Sequence, residues 1–165
     1  MTDKTGTLTQ NEMELKKIHV GTVSYANEAM DEVLTYVKQA FSNLPAGTLF
    51  TPSTQFGTAT TSGTRSRREI GMRVRDLVLA LAVCHNVTPT IEEVDGEDVT
   101  SYQASSPDEI AIVKWTEQVG LQLVHRDRRS ITLQFAQRGQ TVVKVRILNI
   151  FPFTSDSKRL SLIHI

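Results

Sequence analysis

The amino-acid sequence predicts an α+β fold in which an antiparallel sheet is flanked by helices. Two long stretches repeat apolar residues at the spacing of an amphipathic helix. Near the end of the chain, three strand-like stretches follow one another and are joined by short polar turns. The 165 residues are 39% hydrophobic, which is enough to build a buried core.

The first half of the chain is predicted to hold a hairpin and two helices. Residues 13–26 form two strand-like stretches that flank Gly21, a residue suited to a tight turn. Apolar residues recur every three or four positions from about Ala29 to Ser42, and again in a stretch that ends at about Cys84. Both apolar stripes are expected to face the core.

A Ser/Thr-rich stretch separates these two helices. Ten of the nineteen residues from Thr48 to Ser66 are Ser or Thr, and apolar residues show no period there. Such a composition buries too little surface to offset the entropy of ordering the chain. We predict a disordered surface loop over about 45–66, acting as a plain linker or as a phosphorylation target.

The second half begins with a predicted hairpin and a capped helix. An acidic turn around Gly96 joins two extended stretches, and its carboxylates suit a solvated hairpin tip better than a calcium loop. Ser106 as N-cap, Pro107 at the first helical position and Glu109 three residues after the cap match a capping box. A helix should therefore begin here and end at Gly120.

The last third of the chain is predicted to be an antiparallel meander. Its strands cover residues 121–126, 130–136 and 141–150, and the last two are joined across Arg138 and Gly139. Alternation of apolar and polar residues in these stretches is typical of strands with one buried face.

Composition excludes several function classes. The formal net charge is zero, with 18 basic and 18 acidic residues, so no overall field favours nucleic acid. The single cysteine, Cys84, excludes an internal disulfide and is expected to be buried. The four histidines lack the spacing of a zinc site. The longest apolar run is far shorter than the roughly 20 residues of a membrane-spanning helix.

The first residues carry a group that could react with phosphate. The carboxylate of Asp3 could attack a phosphoryl group and hold it as an acyl phosphate. Lys4 and a divalent metal ion could offset the repulsion between the two anions, while residues 5–7 offer hydroxyl and backbone N–H groups to phosphate oxygens. The chain contains no Walker A motif, so a nucleotide would be held in another way.

Residues 3–9, Asp-Lys-Thr-Gly-Thr-Leu-Thr, resemble the phosphorylation motif of the P-type ATPases. The resemblance implies that Asp3 accepts the γ-phosphate of ATP and that Lys4 belongs to the phosphate site. It also implies that Mg²⁺ is held by the Asp3 carboxylate and by the backbone carbonyl of Thr5.

Two further segments resemble the nucleotide-binding domain of the phospholipid flippases, which are P-type ATPases. Residues 103–109, Gln-Ala-Ser-Ser-Pro-Asp-Glu, resemble a segment whose glutamate contacts adenine. Residues 151–159, Phe-Pro-Phe-Thr-Ser-Asp-Ser-Lys-Arg, resemble a segment with an aromatic ring that stacks on adenine and a basic pair near the phosphates. The resemblance implies nucleotide contacts by Glu109, Phe153, Ser155 and Lys158.

Simpler roles for two of these residues stay open at this point. Capping alone would explain Glu109, and Phe153 could be an ordinary core aromatic, because aromatic residues in strands are usually buried. A cation-transporting member of the family and a non-catalytic nucleotide-binding module are the alternative functions.

The resemblance implies that residues 1–11 belong to a phosphorylation domain and residues 12–165 to a partial nucleotide-binding domain. The parent enzyme would use ATP and Mg²⁺ to move a phospholipid between leaflets. Residues 84–89 and 103–109 look closest to the endosomal and Golgi flippases that work without an accessory subunit. We expect the chain to be an inactive fragment that binds ATP weakly, because it contains no Gly-Asp-Gly-x-Asn-Asp magnesium motif and no membrane helix.

Overall fold

The computed structural model describes residues 12–50, 67–151 and 161–164. These residues form an α+β fold with antiparallel sheets, as predicted. The strands form three sheets, whereas we predicted one. The elements in chain order are β1 (Lys17–Val20), β2 (Val23–Ala26), α1 (Met30–Phe41), α2 (Arg67–Val83), β3 (Thr88–Val94), β4 (Glu97–Gln103), α3 (Pro107–Gln118), β5 (Leu121–Arg126), β6 (Ser130–Phe135), β7 (Gln140–Phe151) and β8 (Ser161–His164).

Two of the three sheets are isolated hairpins, in which two consecutive strands pair only with each other. Strands β1 and β2 pair with each other, and Gly21 in the turn between them has a φ of 65°, which favours glycine. Strands β3 and β4 pair in the same way. Asp95 and Gly96 both have positive φ, as the central residues of a type I′ turn require. The predicted exposure of this hairpin tip is confirmed.

Helices α1 and α2 pack against each other through a close contact. A Cβ atom placed on Gly71 of α2 would lie 2.9 Å from the ring atom Cδ1 of Tyr36 on α1. Helix α1 buries Val33, Val37 and Phe41, which are members of the apolar stripe predicted from the sequence. Glycine at position 71 therefore allows the tyrosine ring to lie against the backbone of α2.

The residues that follow α1 run towards the meander. The ring of Phe50 packs edge-to-face on Phe41 with 5.2 Å between the ring centroids. The N–H of Phe50 donates to the carbonyl oxygen of Val142 on β7 at 2.7 Å. Phe50 thus joins α1 to the sheet, and the rest of the predicted Ser/Thr-rich loop, residues 51–66, lies outside the described residues.

The four-stranded sheet has the order β5-β6-β7-β8 and is antiparallel throughout. The three predicted strands are confirmed, and β8 is an additional strand that we did not predict. Strand β7 is longer than its partner β6, and its last residues, Ile147 to Phe151, pair with β8. The sheet therefore extends beyond the turn that joins β5 to β6.

The helices bury one face of this sheet. Apolar side chains from α1, α2, α3 and the strands form one continuous core. Trp115 on α3 donates its indole N–H to the sulfur of Met30 on α1 at 3.1 Å. Gly120 has a φ of 109° and lies against the ring of Phe135, so it ends α3 where a larger residue would be strained.

The exposure of Cys84 and the character of the helices bear on predictions made from composition. Cys84, which we expected to be buried, is exposed because it follows the last turn of α2 on the solvent side. None of the helices in the described parts of the chain is long and apolar enough to span a membrane.

Candidate nucleotide site

Glu109 is the one predicted site residue that the structure describes. It lies in the first turn of α3 and is half-buried. The other predicted catalytic, metal-binding and nucleotide-binding residues lie outside the described residues: Asp3, Lys4, Thr5, Phe153, Ser155 and Lys158.

The predicted capping box is only partly correct. Ser106 is the N-cap residue and Pro107 occupies the first helical position, as expected. The Ser106 side chain makes no capping hydrogen bond. Oε1 of Glu109 instead accepts the backbone N–H of Asn86, which follows α2, at 3.3 Å. The carboxylate therefore links α3 to the segment after α2, where an N–H group and a positive charge attract it.

His85 organises this segment from inside the protein. Its side chain is 1% exposed, and Nε2 lies 2.8 Å from the carbonyl oxygen of Ala82, an acceptor to which it must donate. Nδ1 is then an acceptor, and the N–H of Val87 donates to it at 3.1 Å. This hydrogen-bond pattern assigns the ring proton to Nε2.

Arg126, the last residue of β5, lies beneath the same segment and is 9% exposed. Its Nη1 donates to the carbonyl oxygen of His85 and, at 3.4 Å, to that of Val87. The same atom lies 3.3 Å from Nδ1 of His85. Carbonyl oxygens carry partial negative charge, so hydrogen bonds that a guanidinium donates to them are strengthened by its positive charge.

Burial and charge act in opposite directions on Arg126. Burial lowers the pKa of Arg126, and the nearby Glu109 carboxylate raises it. An arginine stays protonated through such changes because its usual pKa is above 12. This part of the protein therefore contains a buried positive charge with a carboxylate near it.

We refer to these five residues as the α2–α3 corner: His85, Asn86, Val87, Glu109 and Arg126. A carboxylate has about four lone-pair positions, so Glu109 can accept further hydrogen bonds besides the one from Asn86. The corner can thus present an oriented acceptor to an amino group of a ligand.

The sheet relates the corner to the segment that contains the other predicted nucleotide contacts. Arg126 pairs with Ile131, and Ile131 pairs with Val145 of β7. From there β7 continues past the β5–β6 turn to Phe151, a distance of roughly 20 Å for a regular strand. The segment carrying Phe153 follows directly in sequence. Glu109 and the end of β7 therefore lie towards the same end of the sheet.

Sequence reasoning missed Arg126 and His85. Strict alternation along β5 would bury His125 and expose Arg126, after Leu121 and Leu123. A register shift between Leu123 and His125 reverses this order, so that Arg126 is buried and His125 is exposed. The sequence of β5 contains no glycine or proline that would indicate a bulge.

A groove of about 700 Å³ between α1 and α2 shares no residue with the corner. Four of its polar side chains make hydrogen bonds or ion pairs within their own helices: Glu32, Thr35, Tyr36 and Arg75. Tyr36 donates to Glu32 at 2.7 Å, which raises the pKa of Tyr36 to about 12. Arg75 pairs with Asp76 at 2.7 Å and lies over the ring of Phe50. Most of the polar side chains that line the groove are therefore already hydrogen-bonded or paired.

The α+β fold with antiparallel sheets is compatible with a domain of a P-type ATPase. No protein-family model matches the chain. Curated relatives identify the group within this family. The chain is homologous to phospholipid-transporting ATPases along 99% of its length. The predicted resemblance is thereby confirmed.

Three relatives illustrate the match. The chain is 49% identical over 163 residues to phospholipid-transporting ATPase NEO1 of Saccharomyces cerevisiae. It is 44% identical over 180 residues to probable phospholipid-transporting ATPase IIB of Homo sapiens. It is 42% identical over 165 residues to probable phospholipid-transporting ATPase tat-5 of Caenorhabditis elegans. In each case 99% of this chain is covered, and the chain spans only 13% to 16% of the relative's length.

Proposed function

We propose that the chain is the nucleotide-binding part of an ATP-driven phospholipid translocase that forms an aspartyl phosphate. The observation that carries this proposal is 42% to 49% identity, over 99% of the chain, to proteins named as phospholipid-transporting ATPases. The match of residues 3–9 to the P-type phosphorylation motif supports the same reaction. Residues 1–11 would then belong to the phosphorylation domain and residues 12–165 to the nucleotide-binding domain.

The phosphoryl-transfer roles fall on the first residues. Asp3 is the proposed nucleophile, and Lys4 offsets the negative charge of the incoming phosphate. The described residues contain no group of three or more His, Cys, Asp or Glu side chains that could hold a metal ion. The resemblance of residues 3–9 to the phosphorylation motif supports Asp3 and the carbonyl oxygen of Thr5 as the proposed Mg²⁺ ligands. When bound, Mg²⁺ neutralises charge on the phosphates.

Glu109 is the proposed contact for the adenine base. Adenine carries an exocyclic amino group, which a carboxylate can accept as a hydrogen-bond donor. The hydrogen bond from Asn86 directs the Glu109 carboxylate and the positive charge of Arg126 attracts it, so its acceptor is oriented before a ligand binds. Phe153 is proposed to stack on the base, while Ser155 and Lys158 contact the phosphates.

Weak binding of ATP to the isolated chain follows from these contacts. Stacking one base on an aromatic ring is worth about 1–3 kcal/mol, and a millimolar Kd requires about 4 kcal/mol. Stacking with one or two polar contacts therefore gives a Kd on the order of 1 mM. A non-catalytic module would have the same weak affinity, and a cation transporter would use the same reaction.

The proposed parent works at the cytosolic side of an endosomal or Golgi membrane and without an accessory subunit. Similarity to NEO1 and tat-5 supports this group. ATP and a phospholipid are its proposed ligands.

Titration of the 165-residue chain with ATP, followed by NMR, tests the nucleotide site. Glu109→Ala should weaken binding about threefold to tenfold, which corresponds to one hydrogen bond. Phe153→Ala should abolish the NMR signal changes that ATP causes. Asp108→Asn is the matched control, because Asp108 is the exposed neighbour of Glu109 in the same helical turn. Equal affinity in Glu109→Ala and the unsubstituted chain would remove Glu109 from the site.

A further inference from the structure

Arg126 and Glu109 hold the same three-residue segment from two sides. The guanidinium binds the carbonyl oxygens of His85 and Val87. Asn86, the residue between them, directs its N–H to Glu109 at 3.3 Å. A change in the side chain at position 126 must therefore affect the direction of the N–H group that Glu109 accepts.

A guanidinium is an unfavourable side chain for a position that is 9% exposed. Removing a charge from water is strongly unfavourable unless hydrogen bonds and an opposite charge compensate. At Arg126 the backbone carbonyls supply the hydrogen bonds, and Glu109 supplies the charge. The compensation thus depends on the arrangement of the whole α2–α3 corner, and the corner depends on Arg126.

The geometry points to Arg126 as a positioning residue that orients the Glu109 carboxylate towards the amino group of adenine. Arg126 acts through Asn86 and Glu109 and does not itself contact the nucleotide. The inference rests on the proposed nucleotide site. It goes further because it assigns the preference for adenine to a buried residue of β5.

Selectivity between bases measures this role better than affinity alone. Inosine carries an oxygen where adenine carries the amino group, so ITP offers Glu109 an acceptor instead of a donor. An oriented carboxylate should favour ATP over ITP, whereas a disordered one should bind both equally. Loss of Arg126 should therefore reduce the ratio of the ITP Kd to the ATP Kd.

The experiment titrates the 165-residue chain with ATP and with ITP by NMR, at a temperature where each variant is folded. Arg126→Met should weaken ATP binding about threefold to tenfold, the effect of one hydrogen bond. ITP binding should stay nearly constant, so the ratio falls towards one. Arg128→Met is the matched control, since Arg128 is exposed two residues further on and should keep the original ratio.

A double variant separates positioning from a merely structural role. Glu109→Gln should lower the ratio, and adding Arg126→Met should produce no further loss if Arg126 acts through Glu109. If Glu109→Gln lowers the ratio and Arg126→Met does not, the inference about Arg126 is wrong and the proposed nucleotide site stands. If Glu109→Gln leaves ATP binding and the ratio unchanged, the proposed role of Glu109 fails, and the inference fails with it.

Two measurements remain decisive if Arg126→Met does not fold. Arg126→Lys keeps the positive charge but loses the forked geometry, and an unchanged ratio in the folded lysine variant would contradict the inference. In the unsubstituted chain, the amide signal of Asn86 and the Nε signal of Arg126 should shift more with ATP than with ITP. If these two signals do not change when the chain is nearly saturated with ATP, the inference about Arg126 is also wrong.

Discussion

At the scale of single residues, the main finding concerns the partner of Glu109. The sequence pattern around Glu109 predicts a capping box. In the structure its carboxylate instead accepts the backbone N–H of Asn86. Pro107 has no N–H, which removes one of the unpaired donors at the start of α3. The Glu109 carboxylate joins α3 to the segment that follows α2.

Glu109→Ala should lower the stability of the chain by about 1–2 kcal/mol, as expected for a hydrogen bond to a charged group. The variant loses the bond from Asn86 and the charge that opposes the burial of Arg126. Asp108→Ala, on the exposed side of the same turn, should change stability much less. Urea unfolding of both variants measures the difference. Equal stabilities would mean that Glu109 contributes nothing to the corner.

Asp127 gives a prediction about pH. Backbone N–H groups of Arg129 and Ser130 donate to its Oδ1, each at 2.6 Å, and with His125 they lower the pKa of Asp127 to about 2. The unfolded value is about 3.9. A depressed pKa stabilises the fold above the unfolded value, and this contribution is lost as pH falls from about 4 to about 2.

The carboxyl signal of Asp127, followed by ¹³C NMR, should therefore titrate with a midpoint near pH 2. Asp127→Ala should destabilise the β5–β6 turn more at pH 6 than at pH 3. A midpoint near the unfolded value, or a loss of stability that does not depend on pH, would show that the two backbone bonds do not persist in solution.

At the scale of secondary-structure elements, the contact between α1 and α2 depends on Gly71. Alanine favours a helix over glycine by about 1 kcal/mol. Its Cβ would lie 2.9 Å from the ring of Tyr36, whose hydroxyl is held by Glu32. Because overpacking costs about 1–3 kcal/mol, the clash should outweigh helix propensity, and Gly71→Ala should be destabilising.

A double variant tests the reason for this effect. In a Tyr36→Ala background the ring is absent, so Gly71→Ala should become neutral or stabilising. Thermal unfolding of the four chains measures the coupling between the two positions. A loss of stability that is the same with and without the tyrosine ring would contradict the proposed contact.

The helices and most strands could be predicted from the sequence because their apolar residues have a clear period. The stripe that includes Val33 and Val37 faces the core in α1, and the predicted limits of β5 agree with the structure. The division into three sheets depends on which strands meet in space, and local patterns do not encode that. The register shift in β5, which buries Arg126, leaves no signal in the strand sequence.

The candidate site was predictable only where a family motif covers it. Glu109 was identified from residues 103–109, and its nucleotide role stays a prediction. Its hydrogen-bond partner Asn86 lies 23 positions away in the sequence, and Arg126, whose charge acts on it, lies 17 positions away. The proximity of these residues follows from the packing of α2, α3 and β5, which no local pattern reveals.

At the scale of the whole molecule, we predict that the chain forms no acyl phosphate from ATP. Phosphoryl transfer depends on positioning and on charge neutralisation by a metal ion. The chain lacks the Gly-Asp-Gly-x-Asn-Asp motif whose carboxylates help to hold Mg²⁺ in the family. Incubation with γ-labelled ATP and Mg²⁺ should leave no hydroxylamine-sensitive label. A stoichiometric label that disappears in Asp3→Asn would contradict this prediction.

The proposed ATP site comprises the α2–α3 corner and the segment after β7. It can be tested by mapping the amide signals of the ¹⁵N-labelled chain during an ATP titration. The largest shifts should fall on Asn86, Glu109 and residues 153–159, and they should saturate with a Kd on the order of 1 mM. Shifts confined to the groove between α1 and α2, or no saturable shift at all, would contradict it.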